Sequence, residues 1–322
     1  TTDEWIWKRS GIRERRFIDD DSLSNSDLGV RAAELALANA GVDRSEIDHI
    51  LYATLSPDHE FPGTGCFFQA KMKMPGVPVT DIRNQCTGFL FATVLANGLI
   101  AGGSAKKVLV VGAELHSRGL DLSTRGRDVA VLFGDGAGAM VIGESGSAPG
   151  EGELTGLRTE ASRRPRPRGI LASKLHADGA FARELWVRSP GVATLPYLSP
   201  EMLLDGSIYP QMNGRTVFVH AVRRMPEVVR EVLAEQNLTV ADIDLFVPHQ
   251  ANLRINEAVA ESLGISRDRV FNTIEKFGNT TAATIPIGLA EAERAGRLKP
   301  GMLVAVAAFG SGFTWGSILI RW

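Results

Sequence analysis

Cysteine is scarce in this sequence: Cys66 and Cys86 are the only two among 322 residues. Two cysteines cannot form a disulfide framework, and their spacing is not that of a metal-binding pair. Net charge is also small, because 35 basic residues face 37 acidic ones, and this balance excludes a general affinity for nucleic acid. The sequence therefore predicts a protein of a reducing, cytoplasmic compartment, with neither a metal site nor a nucleic-acid partner.

Long hydrophobic runs are absent as well. Residues 84–105 and 301–320 carry no charge, but both stretches contain glycines and polar residues, so we expect them in a folded core and not in a membrane. The first residues show no basic start followed by an apolar run, so no signal peptide is predicted. Because they also lack an initiating Met, we expect the chain to begin inside a longer one.

An internal repeat organises the chain. A helical pattern, a turn and an apolar strand at 28–54 recur at 228–247, and a second strand at 107–113 recurs at 302–308, at a spacing of about 196 residues. Each copy alternates helices with continuous apolar strands, which is typical of strands covered by helices on both faces. The predicted fold class is therefore α/β with a duplicated core.

The repeat also predicts the domain organisation. We expect a first half at 1–143 and a second half at 215–322. Residues 144–214 are expected to form a linker or cap of irregular structure. Within that segment, the arginine-rich stretch 162–168 favours a solvated loop over a nucleic-acid site.

Cys86 is the first candidate for chemistry. It follows a predicted strand at 77–82 and begins an uncharged helical run. At a helix N-terminus, backbone N–H groups and the helix dipole stabilise a thiolate, so we expect a lowered thiol pKa. A small buried hydrophobe is the alternative reading of the same position.

His249 and Asn279 are the polar residues expected nearest to Cys86. His249 directly follows a strand, and the carboxyl ends of strands line the ligand crevices of α/β sheets. Asn279 begins the helical run that matches the one after Cys86, so we expect it at the equivalent helix start. A set of Cys, His and Asn residues is typical of thiol proteases, in which the Asn orients the His. The same set could form an acyl thioester on the Cys and stabilise an enolate with two neutral donors. These residues alone leave both alternatives open.

Two glycine-rich segments have different interpretations. Gly310 and Ser311 lie in a turn after a buried strand, where backbone N–H groups can form an oxyanion hole or simply close a tight turn. The run at 133–139 lacks the last spaced glycine of a dinucleotide fingerprint and precedes a strand instead of a helix, so we predict no nicotinamide cofactor.

Several motifs together resemble one known family over nearly the whole chain. They are Asp3-Glu4-Trp5-Ile6, Phe61-Pro62, Cys86-Thr87-Gly88-Phe89, Leu132 to Gly138, Leu175 to Gly179, Val247 to Arg254, Gly278-Asn279-Thr280 and Phe309 to Gly316. The sequence is similar to the β-ketoacyl-acyl-carrier-protein synthase III family of thiolase-fold condensing enzymes. The resemblance implies two pseudo-equivalent halves in five layers, α-β-α-β-α, and a further strand ahead of residue 1.

The resemblance implies a reaction as well. Cys86 would take an acyl group from acyl-coenzyme A, and His249 and Asn279 would hold the thioester carbonyl of malonyl-acyl-carrier protein while carbon dioxide leaves. Backbone N–H groups of Cys86 and Ser311 would hold the oxyanion. The implied activity is an acyltransferase that initiates fatty-acid synthesis, with no cofactor and no metal.

Binding roles and partners also follow from the resemblance. The matched substrate-binding positions are Trp5 and Arg127 for the adenine, Arg9 for phosphate or ribose, Asn252 for the pantetheine tunnel, Arg254 for the acidic carrier protein and Phe61 for the acyl pocket of the partner in a homodimer. By position alone Trp5 is a hydrophobic anchor and Phe61 ordinary core.

The sequence departs from the family pattern in three places. The turn reads Gly-Ser-Gly at 310–312, the segments 144–168 and 188–213 are long, and Arg215 replaces a small polar residue. These departures concern the acyl pocket and the coenzyme A entrance. The alternatives to the implied reaction are a condensing enzyme that loads a polyketide or other specialised starter, a thioester hydrolase, and a non-catalytic partner subunit.

Overall fold

The computed structural model describes residues 1–144 and 168–322. The helices of this part are α1 Asp3–Ser10, α2 Asn25–Ala40, α3 Thr64–Lys71, α4 Gly88–Ala101, α5 Arg127–Ala130, α6 Pro200–Asp205, α7 Gly214–Glu235, α8 Leu253–Leu263, α9 Ile274–Phe277 and α10 Thr284–Arg294. The strands are β1 His49–Ala53, β2 Val79–Ile82, β3 Lys107–Glu114, β4 Gly136–Gly143, β5 Gly169–Ala177, β6 Leu185–Trp186, β7 Gln211–Met212, β8 Leu245–Pro248, β9 Leu303–Gly310 and β10 Thr314–Arg321. Nearly all of the stretch expected as a basic loop, 162–168, lies outside the described residues.

The internal repeat is confirmed by the positions of the elements. β8, β9 and α10 each begin 196 residues after β1, β3 and α4. The turn before β1 is closed by a capping box between Asp43 and Glu46, and the turn before β8 by one between Thr239 and Asp242. The two copies thus share local capping chemistry as well as their order of elements.

Each copy builds one four-stranded sheet. The first has the order β2-β1-β3-β4, in which β4 alone is antiparallel to its neighbour. The second has the order β5-β10-β9-β8, in which β8 and β9 are parallel and the other pairs are antiparallel. β5 lies in the segment expected to be irregular, so that part of the prediction is wrong: residues 169–177 are an integral strand of the second sheet.

The helices separate and cover the two sheets. α4 and α10 lie between the sheets, in a core that joins Val108 and Val110 of the first sheet to Val304 and Val306 of the second. α2 and α3 cover the outer face of the first sheet, and α7 and α8 cover that of the second. This arrangement has the five layers that the resemblance implies.

The two uncharged stretches become the inner parts of this core. The first contains α4, and the second contains β9 and β10, whose residues are almost all buried. Gly138 of β4 shows how closely the layers approach, because a Cβ there would lie 2.8 Å from the Pro286 side chain of α10. In residues 1–144 and 168–322, no helix combines the length and apolarity that a membrane crossing requires.

Hydrogen bonds of the Asn25 side chain connect the start of α2 to the first sheet. Its Nδ2 donates to the Thr54 hydroxyl and to the Ala113 carbonyl, and its Oδ1 accepts a hydrogen bond of 2.7 Å from the Tyr52 hydroxyl. Both Asn25 and Tyr52 are fully buried. The Asn25 carboxamide oxygen therefore depends on Tyr52 for its satisfaction.

We predict that Tyr52→Phe lowers the free energy of unfolding by about 1–3 kcal/mol, because it leaves that buried oxygen unpaired. Urea denaturation followed by circular dichroism measures the loss. The matched control is Tyr197→Phe, which removes a hydroxyl from an exposed ring and should leave stability unchanged. Equal losses in the two variants would contradict the assigned role of Tyr52.

Candidate active site

Cys86 lies in a short 3₁₀ turn, Gln85–Thr87, that connects β2 to α4. The turn begins with a left-handed residue, Gln85, at φ 43°. Its last residue, Thr87, shares a hydrogen bond of 2.8 Å with Thr314, so the turn is fixed to β10 of the second half. Only 6% of Cys86 is exposed.

The glycine turn after β9 closes over the thiol. A Cβ at Gly310 would lie 2.6 Å from the Cys86 Cβ and 3.2 Å from its sulfur, so only glycine permits this approach. The backbone N–H of Ser311 and that of Cys86 itself both act on the sulfur so as to lower the pKa of the thiol. The Ser311 hydroxyl donates to the Leu185 carbonyl, which fixes the turn. Both predicted oxyanion donors therefore lie beside the sulfur.

The predicted lowering of the Cys86 pKa is wrong. Burial raises the pKa of the thiol to about 12, the negative charge of Glu114 adds to this effect, and the two backbone N–H groups only partly oppose it. A helix N-terminus stabilises a thiolate by a local interaction, whereas burial removes the solvation of the whole charge. At neutral pH Cys86 is a thiol, and its reaction requires a proton acceptor.

His249 follows β8, and its backbone N–H donates to the Ala307 carbonyl at 2.8 Å. The imidazole is 3% exposed, and burial lowers its pKa to about 3, so it is neutral at physiological pH. Its Nδ1 lies 2.7 Å from the Thr284 hydroxyl. Its Nε2 is buried and has no hydrogen-bond partner among the described residues. This nitrogen is the group that the imidazole can offer to a substrate or to the thiol.

Asn279 is held by the first half of the molecule. Its backbone N–H donates to the Leu132 carbonyl at 2.8 Å, and its carbonyl accepts from the Gly134 N–H at 3.1 Å. The side-chain Oδ1 accepts from the Thr281 N–H at 2.9 Å. Because the oxygen is engaged, Nδ2 is left as a donor, and it forms no hydrogen bond within the described part of the chain.

The position of Asn279 in the repeat differs from the one predicted. The residue 196 positions after Cys86 is Ala282, in the 3₁₀ turn Thr281–Ala283 that precedes α10. This turn also begins with a left-handed residue, Thr281, at φ 47°. Asn279 thus lies three residues before the equivalent of Cys86, in the segment that leads into the turn.

The two turns meet between the sheets. A Cβ at Gly88, the first residue of α4, would lie 3.6 Å from the Ala282 side chain. Glu114, at the end of β3, accepts a hydrogen bond from the Ala282 N–H and raises the pKa of Cys86 by its charge. The nucleophile turn and the turn after Asn279 therefore pack against one another around this carboxyl group.

Glu114 is a site residue that the sequence analysis missed. It is completely buried, and it accepts hydrogen bonds from the Ser56 hydroxyl and from the Leu55 N–H. Burial raises its pKa to about 7, although these bonds act in the opposite direction. The signal in the sequence was an acidic residue at the end of β3, directly after the buried and uncharged stretch 108–113.

His116 was also missed as a neighbour of the site. Its Nε2 lies 2.7 Å from the hydroxyl of Thr281, the residue that begins the second turn. Burial lowers its pKa to about 4, and the charge of Asp135 acts in the opposite direction. This histidine is therefore a neutral support for the turn.

The predicted coenzyme A residues form a group at the surface, in which Arg9 and Arg127 are exposed and Trp5 and Asn252 are partly buried. The guanidinium of Arg9 lies 4.3 Å from the centre of the Trp5 ring, and that of Arg127 lies 5.4 Å from it. Asn252 caps α8 by accepting from the Arg254 N–H, and it donates to the Arg9 carbonyl at 3.0 Å. Asn252 therefore joins the ends of α1 and α8, and both of its side-chain polar groups are engaged.

Phe61 and Arg254 lie at the surface. Phe61 is 85% exposed, which excludes the reading of this residue as ordinary core. Within residues 1–144 and 168–322, no three His, Cys, Asp or Glu side chains are grouped so that they could hold a metal ion.

Comparison with known proteins gives a consistent result. Residues 80–161 match the family described as 3-oxoacyl-[acyl-carrier-protein] synthase III, and residues 233–322 match its C-terminal part. A β-ketoacyl-[acyl-carrier-protein] synthase III of Rhodospirillum rubrum is 44% identical, over 100% of this chain and 91% of the relative.

Solved structures agree with this relationship. The 3-oxoacyl-[acyl-carrier-protein] synthase III of Aquifex aeolicus has a TM-score of 0.85 and 39% identity, over 100% of this chain and 92% of the other. A priming β-ketosynthase of a polyketide biosynthetic pathway has a TM-score of 0.83 and 30% identity, over 99% and 88% of the two chains.

We predict that Glu114 makes stability depend on pH. Its folded pKa of about 7 lies above its ordinary value of 4.5, so the stability contributed by the protonated form is complete below pH 4.5 and is lost as the pH rises to 7. Relative to Glu114→Gln, the wild type should lose about 3 kcal/mol of unfolding free energy across this window. Chemical denaturation at several pH values measures the difference.

Two controls isolate this effect. His116 and His249 have lowered pKa values and lose stability in the opposite direction, as the pH falls; both remain in the variant, so they cancel in the comparison. Glu34→Gln changes an exposed carboxyl group and should give a curve parallel to that of the wild type. A parallel curve for Glu114→Gln would show that Glu114 is not protonated in the folded state.

Proposed function

Because the chain belongs to the 3-oxoacyl-[acyl-carrier-protein] synthase III family, we propose that it condenses an acyl-coenzyme A primer with malonyl-acyl-carrier protein. The products are 3-oxoacyl-acyl-carrier protein, coenzyme A and carbon dioxide, and the reaction initiates fatty-acid synthesis in the cytoplasm. One observation above all supports this proposal: a buried thiol lies beside two backbone N–H donors, in a fold that also buries a neutral imidazole and a carboxamide donor.

The first half-reaction is acyl transfer to Cys86. The sulfur attacks the thioester carbon, and the N–H groups of Cys86 and Ser311 hold the oxyanion that develops there. The carbon–sulfur bond to coenzyme A then breaks. Since the thiol pKa is about 12, the thiol proton must be removed during the attack, and Nε2 of His249 is the unpartnered base in the site.

The second half-reaction is decarboxylation followed by carbon–carbon bond formation. His249 and Asn279 hold the carbonyl oxygen of the malonyl thioester, so that the negative charge left by departing carbon dioxide is stabilised as an enolate. The enolate carbon attacks the acyl group on Cys86, the bond to the sulfur breaks, and Cys86 regains a proton. Asn279 suits this role because its Oδ1 is engaged and its Nδ2 is free to donate.

The surface residues have the chemistry needed to bind the substrates and partners proposed for this chain. Trp5 with Arg9 and Arg127 offers a flat ring and two guanidinium groups to an adenine and its phosphates. Arg254 is an exposed cation for an acidic carrier protein. Phe61 is exposed and available to enter a partner subunit, so we include a homodimer in the proposal.

A second candidate function is the priming of polyketide synthesis. It is favoured by the likeness to a priming β-ketosynthase, and it uses the same two half-reactions with a different primer. A thioester hydrolase would release free acid from acylated Cys86 without forming a carbon–carbon bond, and a non-catalytic subunit would not need the set of Cys86, His249 and Asn279. A panel of acyl-coenzyme A primers assayed with malonyl-acyl-carrier protein separates the two candidates.

We predict that acyl-coenzyme A labels Cys86 and no other residue. Intact-protein mass spectrometry should show one added acyl group in the wild type and none in Cys86→Ser. The matched control is Cys66→Ser, which removes the exposed cysteine and should be acylated like the wild type. Asn279→Ala should still be acylated, but its malonyl decarboxylation should fall about 100-fold or more, because one donor to the enolate is lost.

Other outcomes would contradict the proposal in distinct ways. Acylation of Cys86→Ser at a residue other than position 86 would exclude Cys86 as the nucleophile. Release of free acid by the wild type, without condensation, would identify a hydrolase. An unchanged decarboxylation rate in Asn279→Ala would remove this residue from the second half-reaction.

We predict that Trp5→Ala weakens binding of acyl-coenzyme A without affecting the chemistry. The KM for acyl-coenzyme A should rise about tenfold, as expected for the loss of base–aromatic stacking worth about 1–3 kcal/mol. The rate with an acyl N-acetylcysteamine thioester, which lacks the adenine, should equal that of the wild type. Steady-state kinetics with both substrates measure the contrast, and an equal loss with both would exclude an adenine contact at Trp5.

A further inference from the structure

Thr284 has an unusual position relative to His249. It is the first residue of α10 and is buried. Its hydroxyl oxygen lies 2.7 Å from His249 Nδ1 and 3.0 Å from the Thr281 carbonyl. Both distances are those of hydrogen bonds. One hydroxyl group therefore connects the imidazole to the turn that precedes α10.

The direction of these two hydrogen bonds can change without movement of any heavy atom. A threonine hydroxyl has one hydrogen and two lone pairs. When the hydrogen points to the Thr281 carbonyl, the oxygen accepts a proton-bearing Nδ1 of His249. When the hydrogen points to Nδ1, the carbonyl still receives the backbone N–H of Thr284. Neither arrangement leaves the Thr281 carbonyl unpaired.

These two arrangements correspond to the two neutral tautomers of His249. A proton on Nδ1 leaves Nε2 as an acceptor, and a proton on Nε2 leaves Nδ1 as the acceptor. Burial keeps the imidazole neutral, so one nitrogen or the other carries the proton. The chemical role of the buried, unpartnered Nε2 is thereby determined by the partner of Nδ1.

The charged groups around the site do not determine which nitrogen of His249 carries the proton. Glu114 acts on the Cys86 thiol and binds the Ala282 N–H, and Asp135 acts on His116. Burial is the cause that shifts the pKa of His249. Within the described residues, the Thr284 hydroxyl is the side-chain group that hydrogen-bonds to this imidazole.

We propose that Thr284 is a positioning residue that supports both tautomers of His249, one for each half-reaction. The proposal rests on the function proposed above. In acyl transfer Thr284 accepts from Nδ1–H, and in condensation it donates to Nδ1. His249 can then act as a base toward the thiol and later as a neutral donor toward the malonyl carbonyl.

Protons balance in each half-reaction and in the step between them. The thiol proton of Cys86 passes to Nε2 as the sulfur–carbon bond forms, and it passes from Nε2 to the coenzyme A sulfur as the old carbon–sulfur bond breaks. Between the half-reactions, Nδ1 gives one proton to water and Nε2 takes one from water, so the imidazole stays neutral. In condensation Nε2–H donates to the enolate oxygen, and the thiolate of Cys86 takes its proton from water. The reverse exchange then follows, in which Nε2 gives one proton to water and Nδ1 takes one, and it restores the Nδ1–H tautomer for the next acyl transfer.

Thr284→Val tests the proposal because valine keeps the shape of threonine and removes both hydrogen-bonding functions. Without an acceptor for Nδ1–H, the Nε2–H tautomer, which is the intrinsically favoured form of histidine, should dominate. Acyl transfer should then fall about 100-fold, which is the low end of the usual contribution of general-base catalysis. Decarboxylation of a malonyl thioester should stay within about threefold of the wild type, since its Nε2–H donor is retained.

Two matched variants complete the test. Thr284→Ser keeps the hydroxyl and should restore acyl transfer. Thr93→Val makes the same substitution at another buried threonine, in α4, whose hydroxyl has no partner in the described part of the chain, and it should leave both half-reactions unchanged. Nitrogen-15 NMR of labelled histidine, assigned with His249→Ala, should report both tautomers in the wild type and only Nε2–H in Thr284→Val.

The outcomes separate this proposal from the proposed function. Wild-type enzyme that fails to acylate Cys86 would overturn both. Normal acylation of the wild type together with normal acyl transfer by Thr284→Val would overturn the role of Thr284 alone. An equal loss of both half-reactions, with unchanged NMR signals from His249, would show that Thr284 has only a structural role.

Discussion

Burial of the reacting groups between the two sheets is the constraint on which the rest of the site depends. It raises the pKa of the Cys86 thiol to about 12 and lowers that of the His249 imidazole to about 3. Both groups are therefore neutral when no substrate is bound. A site of this kind cannot rely on a preformed thiolate and imidazolium pair, so its chemistry depends on which nitrogen or sulfur carries each proton at each step.

The duplication explains how one cleft obtains different groups from two similar halves. The residues 196 positions from His249 and Cys86 in the other copy are Ala53 and Ala282. Each of these two functional side chains thus has an alanine at the equivalent place in the other half, so the duplicated turns differ in the chemistry that they carry. Thr284 corresponds in the same way to Gly88, so the second copy has a hydroxyl where the first has only backbone.

The sequence predicts the architecture well and the electrostatics of the site poorly. Apolar strands and their spacing depend on local patterns, so the repeat and the layers could be predicted. α7 begins at Gly214, well before the recurring helical pattern at 228. Pro226 lies inside this helix, and because proline usually ends a helix, the sequence pattern did not indicate its first part. The pKa of Cys86 depends on how two distant segments cover it, and no local pattern contains that information. Thr284 was missed for the same reason, since its contact with His249 spans 35 positions.

The location of Glu114 beside Cys86 has a consistent physical meaning. Its charge and the burial of the sulfur both oppose formation of a thiolate. Oxidation of cysteine requires thiolate character and exposure, so an enzyme waiting for substrate keeps its nucleophile in the least reactive form. The same carboxyl group binds Ala282, in the turn that follows Asn279. Glu114 therefore holds the second turn by a hydrogen bond and places its charge near the thiol of the first, so the thiol reacts only when a base removes its proton during the attack.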